Sequence, residues 1–227
     1  MRTTRLLSAS LLALLLSACG GGIYVEVGDP APPLPPVPQP NPQPNAPTQN
    51  CSTAGLAAAA QSRWPVVCML TSSGELVIEL YDEYAPITVA NFLAHVNTNY
   101  YRNTLVHRVD KDFVVQGGGY SPGMVRKPNP FAPIQLEDNT ILSNLRGTIA
   151  MARSSDPNSA TSEWFLNVRD NTGLDGTSAK RGYAIFGKII SGLPVLDAMN
   201  IVPVYRYTDT DLRPRTEILT YWVQRVR

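Results

Sequence analysis

Arg108, Phe113 and Gln116 stand close together in the stretch VHRVDKDFVVQGGGY, Val106 to Tyr120. A guanidinium is permanently charged and presents its donors as a rigid fork, so it suits a site that stabilises localised electron density. A glutamine amide can orient it, and an aromatic ring can wall an apolar socket beside it. For these three to cooperate they must share one surface. Two apolar runs, joined by the polar turn Asp110-Lys111-Asp112, predict a hairpin. Strict alternation then sets Arg108 on the face opposite His107, and Gln116 on the face opposite Val115. Gly117, Gly118 and Gly119 follow, where the backbone can turn or approach a neighbour closely.

A second motif competes for attention. Gly119-Tyr120-Ser121-Pro122-Gly123 fits G-x-S-x-G, the nucleophile elbow of α/β-hydrolases. In that elbow the residue after the serine donates its backbone N–H to an oxyanion, and Pro122 has none. Both histidines, His95 and His107, also precede the serine. A hydrolase is excluded.

The 227 residues, 44% of them apolar, suffice for one domain with appendages. The formal charge of +1 argues against nucleic acid as a partner. Cys51, Cys68, His95 and His107 have no zinc-site spacing, so neither a metal nor a cofactor is expected.

Residues 1–18 read as a secretory signal: Arg2 and Arg5, the apolar run Leu6–Leu16, then small residues. That run is too short to span ~30 Å of hydrocarbon. The ending LSAC resembles a lipobox, which implies lipidation at Cys19, a membrane anchor there and, with Gly20 following, an outer-membrane location facing the periplasm. Residues 19–50 form a tether in which ten prolines lie between Pro30 and Pro47. Such composition favours extended polyproline II at ~3.1 Å per residue and reads better as a spacer than as a ligand. Residues 51–65 form a short lead-in, alanine-rich enough for a helical turn or two. With Cys19 lipidated, Cys51 and Cys68 remain as an even pair in an oxidising compartment, and a disulfide between them is expected.

Residues 66–227 carry the folded domain. VVCMLT and ELVIELY predict a first hairpin, and Pro86 suits the first position of a helix whose Val89, Phe92, Leu93 and Val96 form a buried stripe. His95 falls off that stripe and is expected at the surface. IAMAR, WFLNV, YAIFGKII and TEILTYWVQRV add strands, with a second short helix at Pro194–Asn200. Many short strands with few helices point to an antiparallel barrel.

The run HRV-x-x-x-FVVQGGG, then RGTIAMAR (Arg146–Arg153), S-x-x-F (Ser162–Phe165) and FGK (Phe186–Lys188), resembles the cyclophilin-type peptidyl-prolyl cis/trans isomerases of bacteria. The resemblance runs from about Val66 to Val226. It implies a closed eight-stranded antiparallel β-barrel capped by two α-helices, and proline-containing polypeptides as substrates of a monomer. It also implies that Arg108 is catalytic, that Phe113, Val114, Phe165 and Leu174 line a proline pocket, and that Gln116 orients arginine and substrate. Ala152 and Arg153 would pair with the peptide backbone, Tyr183 would border the pocket, and His107, the histidine before the arginine, would belong to the substrate site in a role more structural than chemical. Gly173 stands where an aromatic residue is usual, which opens one side of the pocket. Glu163 replaces the usual glutamine. Its carboxylate is expected beside Arg108 or Arg153, competing for the positive charge, so that Glu163→Gln raises kcat/KM. The alternative to the enzyme is a proline-segment binding module or chaperone with weak or no turnover; an adhesion protein is a second, suggested only by the tether.

Overall fold

The computed structural model describes residues 50–138 and 141–227. The expected signal, Cys19 and all but the last residue of the tether lie outside them. Eight strands close a barrel: β1 (Val66–Thr71), β2 (Gly74–Leu80), β3 (Thr104–Asp110), β4 (Val114–Gly117), β7 (Thr148–Met151), β8 (Trp164–Asn167), β9 (Ile185–Ser191) and β12 (Ile218–Arg225). Around the barrel the order is β1-β12-β3-β4-β8-β7-β9-β2, every neighbour antiparallel. Closure leaves no unpaired edge among these strands. Among the described residues, two small two-stranded ribbons complete the sheet structure: β5 (Tyr120–Ser121) with β6 (Val125–Arg126), and β10 (Val204–Arg206) with β11 (Leu212–Pro214).

Among the described residues there are three α-helices. The two expected from the sequence are α2 (Pro86–Asn97) and α3 (Leu193–Asn200). Their Phe92, Val96, Leu196 and Met199 join one core with Met69, Ile78, Val115, Ile149, Trp164, Leu166 and Phe186 of the barrel strands. Phe92 packs its ring 5.1 Å from both Tyr101 and Phe186. The third helix, α1 (Thr53–Gln61), belongs to the lead-in and packs elsewhere. Ser52 caps it by accepting from the Gly55 N–H at 3.0 Å. Its Ala59 lies with Cys51, Val66, Cys68, Val77 and Trp222 in a second cluster. The expected disulfide is present: Cys51 and Cys68 are bridged with Cα atoms 5.8 Å apart, tying the start of α1 to β1.

His95 corrects the sequence reading. It is fully buried, its Nδ1 donates to the Asn91 carbonyl at 2.8 Å, and its ring packs against Tyr100 and Phe131. Thr88, Asn91 and His95 are buried beside the Val89–Phe92–Val96 stripe, so the covered face of α2 is wider than an apolar pattern reveals. The segment through Asn129 and Phe131 covers His95, with Asn129 Oδ1 lying 3.2 Å from its Nε2, while Thr88 donates to Glu137 and Asn91 to the Thr161 carbonyl.

Candidate active site

A row of outward-facing residues crosses four barrel strands. Arg108 on β3 pairs with Gln116 on β4, Gln116 with Phe165 on β8, and Phe165 with Ala150 on β7. Directly opposed residues in an antiparallel sheet have Cβ atoms about 4.5–5.5 Å apart, so the register alone brings guanidinium, amide and ring together. The inward neighbours Val115, Trp164 and Leu166 fill the barrel core and hold the row rigid.

Phe113 was expected on the second strand but lies in the turn before it. Its N–H donates to the Asp110 carbonyl at 3.0 Å, and Asp112 adopts φ 57°. The turn swings the Phe113 ring under the Arg108 guanidinium, 5.9 Å from its centroid. Asn171 braces this wall, donating to the Phe113 carbonyl at 2.8 Å and to Asn167 Oδ1 at 2.9 Å. Across the pocket, Tyr183 meets Phe165 edge-on at 5.4 Å, and Arg153 lies 4.7 Å over the Tyr183 ring. The Arg153 guanidinium donates to the carbonyls of Ser154, Arg181 and Gly182, so it is spent on holding the 181–183 loop.

These side chains enclose a pocket of about 100 Å³ lined by Arg108, Phe113, Val114, Gln116, Ala152, Arg153, Phe165, Leu174 and Tyr183. Gly173, next to Leu174, stands in open space, for a Cβ there would meet nothing within 4 Å. A polar lobe of about 320 Å³ adjoins it through Gln116, Ala152 and Arg153, and includes Glu163, Tyr120 and Arg126. Every candidate site residue expected from the sequence therefore lines the pocket or its lobe, except His107.

His107 sits behind them, for a specific reason. Between Val106 and Arg108 the ladder advances two residues on β3 against one on β4, a bulge at His107. The bulge breaks the expected alternation and aims the imidazole at the outer face, where it stacks 4.7 Å from Tyr120. Its Nε2 lies 3.4 Å from Glu163 Oε2, the oxygen that accepts from Gln116 Nε2 at 2.9 Å.

Glu163 is likewise not where it was expected. It pairs with neither Arg108 nor Arg153; its other oxygen is 3.4 Å from the Arg126 guanidinium. Burial is the largest single influence on this carboxyl and raises its pKa. His107, Gln116 and Arg126 together outweigh burial and hold it below the usual carboxylate range. The glycine run makes room for this arrangement. Gly118 adopts φ +90°, and a Cβ on Gly119 would stand 2.4 Å from Glu163 Oε1.

The pocket thus joins an apolar socket to one oriented cationic donor, without a nucleophile. A family model described as cyclophilin type peptidyl-prolyl cis-trans isomerase/CLD matches residues 66–221. The chain belongs to this family. A peptidyl-prolyl cis-trans isomerase of Acinetobacter baylyi is 46% identical over 142 residues, 63% of this chain and 75% of that protein. Peptidyl-prolyl cis-trans isomerase B of Escherichia coli is 42% identical over 144 residues, covering 62% and 87%. Among solved structures, a Cryptosporidium parvum cyclophilin in the presence of the dipeptide Ala-Pro superposes with a TM-score of 0.61 at 28% identity, covering 71% of this chain and 99% of that one. The protein is accordingly a cyclophilin-type isomerase of prolyl bonds in polypeptides.

Sequence reasoning missed two contributors to this cyclophilin's site. Arg126 reaches it from the β5–β6 ribbon, which no local pattern announces. Asp110, read only as a turn residue, accepts from Arg108 Nη2 at 2.7 Å. The i, i+2 spacing on β3 was the available signal. Among the described residues the one metal-like cluster is Cys51, Cys68 and Glu75, and the disulfide consumes both sulfurs.

Proposed function

We propose that this cyclophilin isomerises X-Pro bonds of exported or envelope polypeptides, with Arg108 as the catalytic residue over the apolar pocket. The observation that carries the reading is the cross-strand row of Arg108, Gln116 and Phe165 beside that pocket. Amide resonance sets the barrier, ~18–20 kcal/mol, and an enzyme lowers it by binding the twisted amide better than either planar form. Twisting localises a lone pair on the prolyl nitrogen, and a fixed N–H donor from Arg108 stabilises it. Phe113, Val114, Phe165 and Leu174 grip the ring while the preceding carbonyl rotates. The Ala152 N–H already donates to the Glu163 carbonyl at 2.8 Å, so a bound peptide pairs with the carbonyl side of this strand end.

The signal-like start and Cys19 support a lipid-anchored protein at the outer membrane, facing the periplasm. Two experiments test the reading. Protease-coupled turnover of a proline tetrapeptide is expected for the wild type and lost in Arg108→Ala; peptide binding without turnover would favour the binding module. Membrane fractionation is expected to move Cys19→Ser protein into the soluble periplasm, and unchanged fractionation would refute the anchor.

A further inference from the structure

Arg108 is held on two sides. Its Nη2 donates to Asp110 Oδ2 at 2.7 Å, whereas its Nη1 reaches Gln116 Oε1 only at 3.4 Å. The short, charge-assisted bond is the one that determines where the guanidinium stands. Both partners are mostly covered, with side-chain exposures of 18% and 26%, so water competes weakly. Asp110 does not need its carboxylate for the turn, because Phe113 N–H bonds to its backbone carbonyl. Among the described residues the carboxylate makes no other hydrogen bond, and Arg108 Nε, which is buried, has no hydrogen-bond partner.

We propose that Asp110 is a positioning residue for Arg108, orienting its guanidinium over the pocket. From Asp110 the chain of bonds continues through Arg108 and Gln116 to Glu163, so two carboxylates bracket one guanidinium and one amide. A carboxylate so near also damps the arginine's positive field, an effect of opposite sign on catalysis. Orientation prevails, because the acceptor on a twisted amide is a neutral lone pair that needs a directed donor more than a net charge. Long side chains otherwise spread over many rotamers, and Asp110 removes that freedom before substrate arrives.

The inference rests on Arg108 being catalytic, and a readout independent of turnover separates the two claims. In an NMR correlation spectrum the Arg108 Nε–H signal, assigned by its disappearance in Arg108→Lys, should be resolved and slow to exchange. In Asp110→Ala it should exchange at least tenfold faster, with kcat about tenfold lower and KM within twofold of wild type. Asp110→Ser, equally too short to reach, serves if the alanine variant does not fold. Asp110→Asn keeps an acceptor oxygen and should recover kcat to within about threefold of wild type. A kcat equal to or above wild type in the truncated variants, an unchanged Nε–H signal, or an asparagine variant as slow as alanine would each overturn the proposal. Full activity in Arg108→Ala would instead refute the catalytic assignment and leave the NMR result standing on its own.

Discussion

Gln116 donates from Nε2 to Glu163 Oε2 at 2.9 Å, and that bond determines which end of its amide faces Arg108. With Nε2 engaged, Oε1 is left to accept from the guanidinium. Glu163 therefore acts on the arginine through an amide and does not compete with it. This reverses the effect expected from the sequence. Exchanging a charge-assisted bond for a neutral one loses a fraction of a net hydrogen bond, ~0.5–1.5 kcal/mol for a whole one. Glu163→Gln should lower kcat/KM roughly threefold in the tetrapeptide assay. A rise would restore the competition model.

The same carboxyl has an acid signature. Its folded pKa is depressed by His107, Gln116 and Arg126 acting against burial. A depressed carboxylate contributes stability above its unfolded value, about 4.3, and loses it as pH falls through the folded value. Urea titrations should show wild type losing more stability than Glu163→Gln as pH falls below about 4.5. Equal slopes would mean that the carboxylate gains nothing from its neighbours. At neutral pH Glu163 stays ionised, so no activity change near pH 7 should trace to it.

Arg108→Ala should cost ~2–4 kcal/mol of transition-state stabilisation, as for one preorganised donor. Arg108→Lys should not rescue it, since an ammonium cannot satisfy Asp110 and Gln116 as a planar fork does. The melting temperature should hold, because the guanidinium stands on the outer face and not in the core. A folded alanine variant of full activity would end the assignment.

Gly173 borders an opening, not a packed wall. Gly173→Trp should therefore fit, add apolar cover over the proline ring and lower KM several-fold at unchanged kcat. One ring contact is worth about 0.5–1.5 kcal/mol beyond its area. A raised KM with a lowered melting temperature would show that the space is needed as it is.

The Cys51–Cys68 bridge closes a short loop, at a separation of 17 residues. The chain-entropy model assigns such a loop up to ~3 kcal/mol. For a domain of this size that is about 6–12 °C of melting temperature. Thermal melts of the Cys51→Ala/Cys68→Ala protein should show the drop with isomerase activity retained at 25 °C, since α1 packs on β1 and β2, away from the pocket strands. A drop under 2 °C would mean that Glu75, which accepts from Ser52 N–H at 2.8 Å and Ser52 Oγ at 2.6 Å, already anchors the lead-in.

Local chemistry was enough to read much of this protein from its residues. Strand periodicity located the barrel strands, Pro86 marked the start of α2, and the hairpin spacing put Arg108 and Gln116 on one surface, because each depends on neighbours a few residues away. Phe165, far along the chain, was placed in the site only by the resemblance. Other features depended on contacts between distant segments. His95 is buried because Phe131 and Asn129 cover a side of α2 that carries no apolar pattern. His107 faces Glu163 because one bulge shifts the ladder, and a bulge is a property of two strands paired together. Glu163 meets Gln116 and Arg126, not Arg108, because Gly119 and the β5–β6 ribbon bring those partners within reach. Hydrophobic periodicity is a short-range code, whereas the partner of a buried charge is chosen by whichever chain segment arrives beside it.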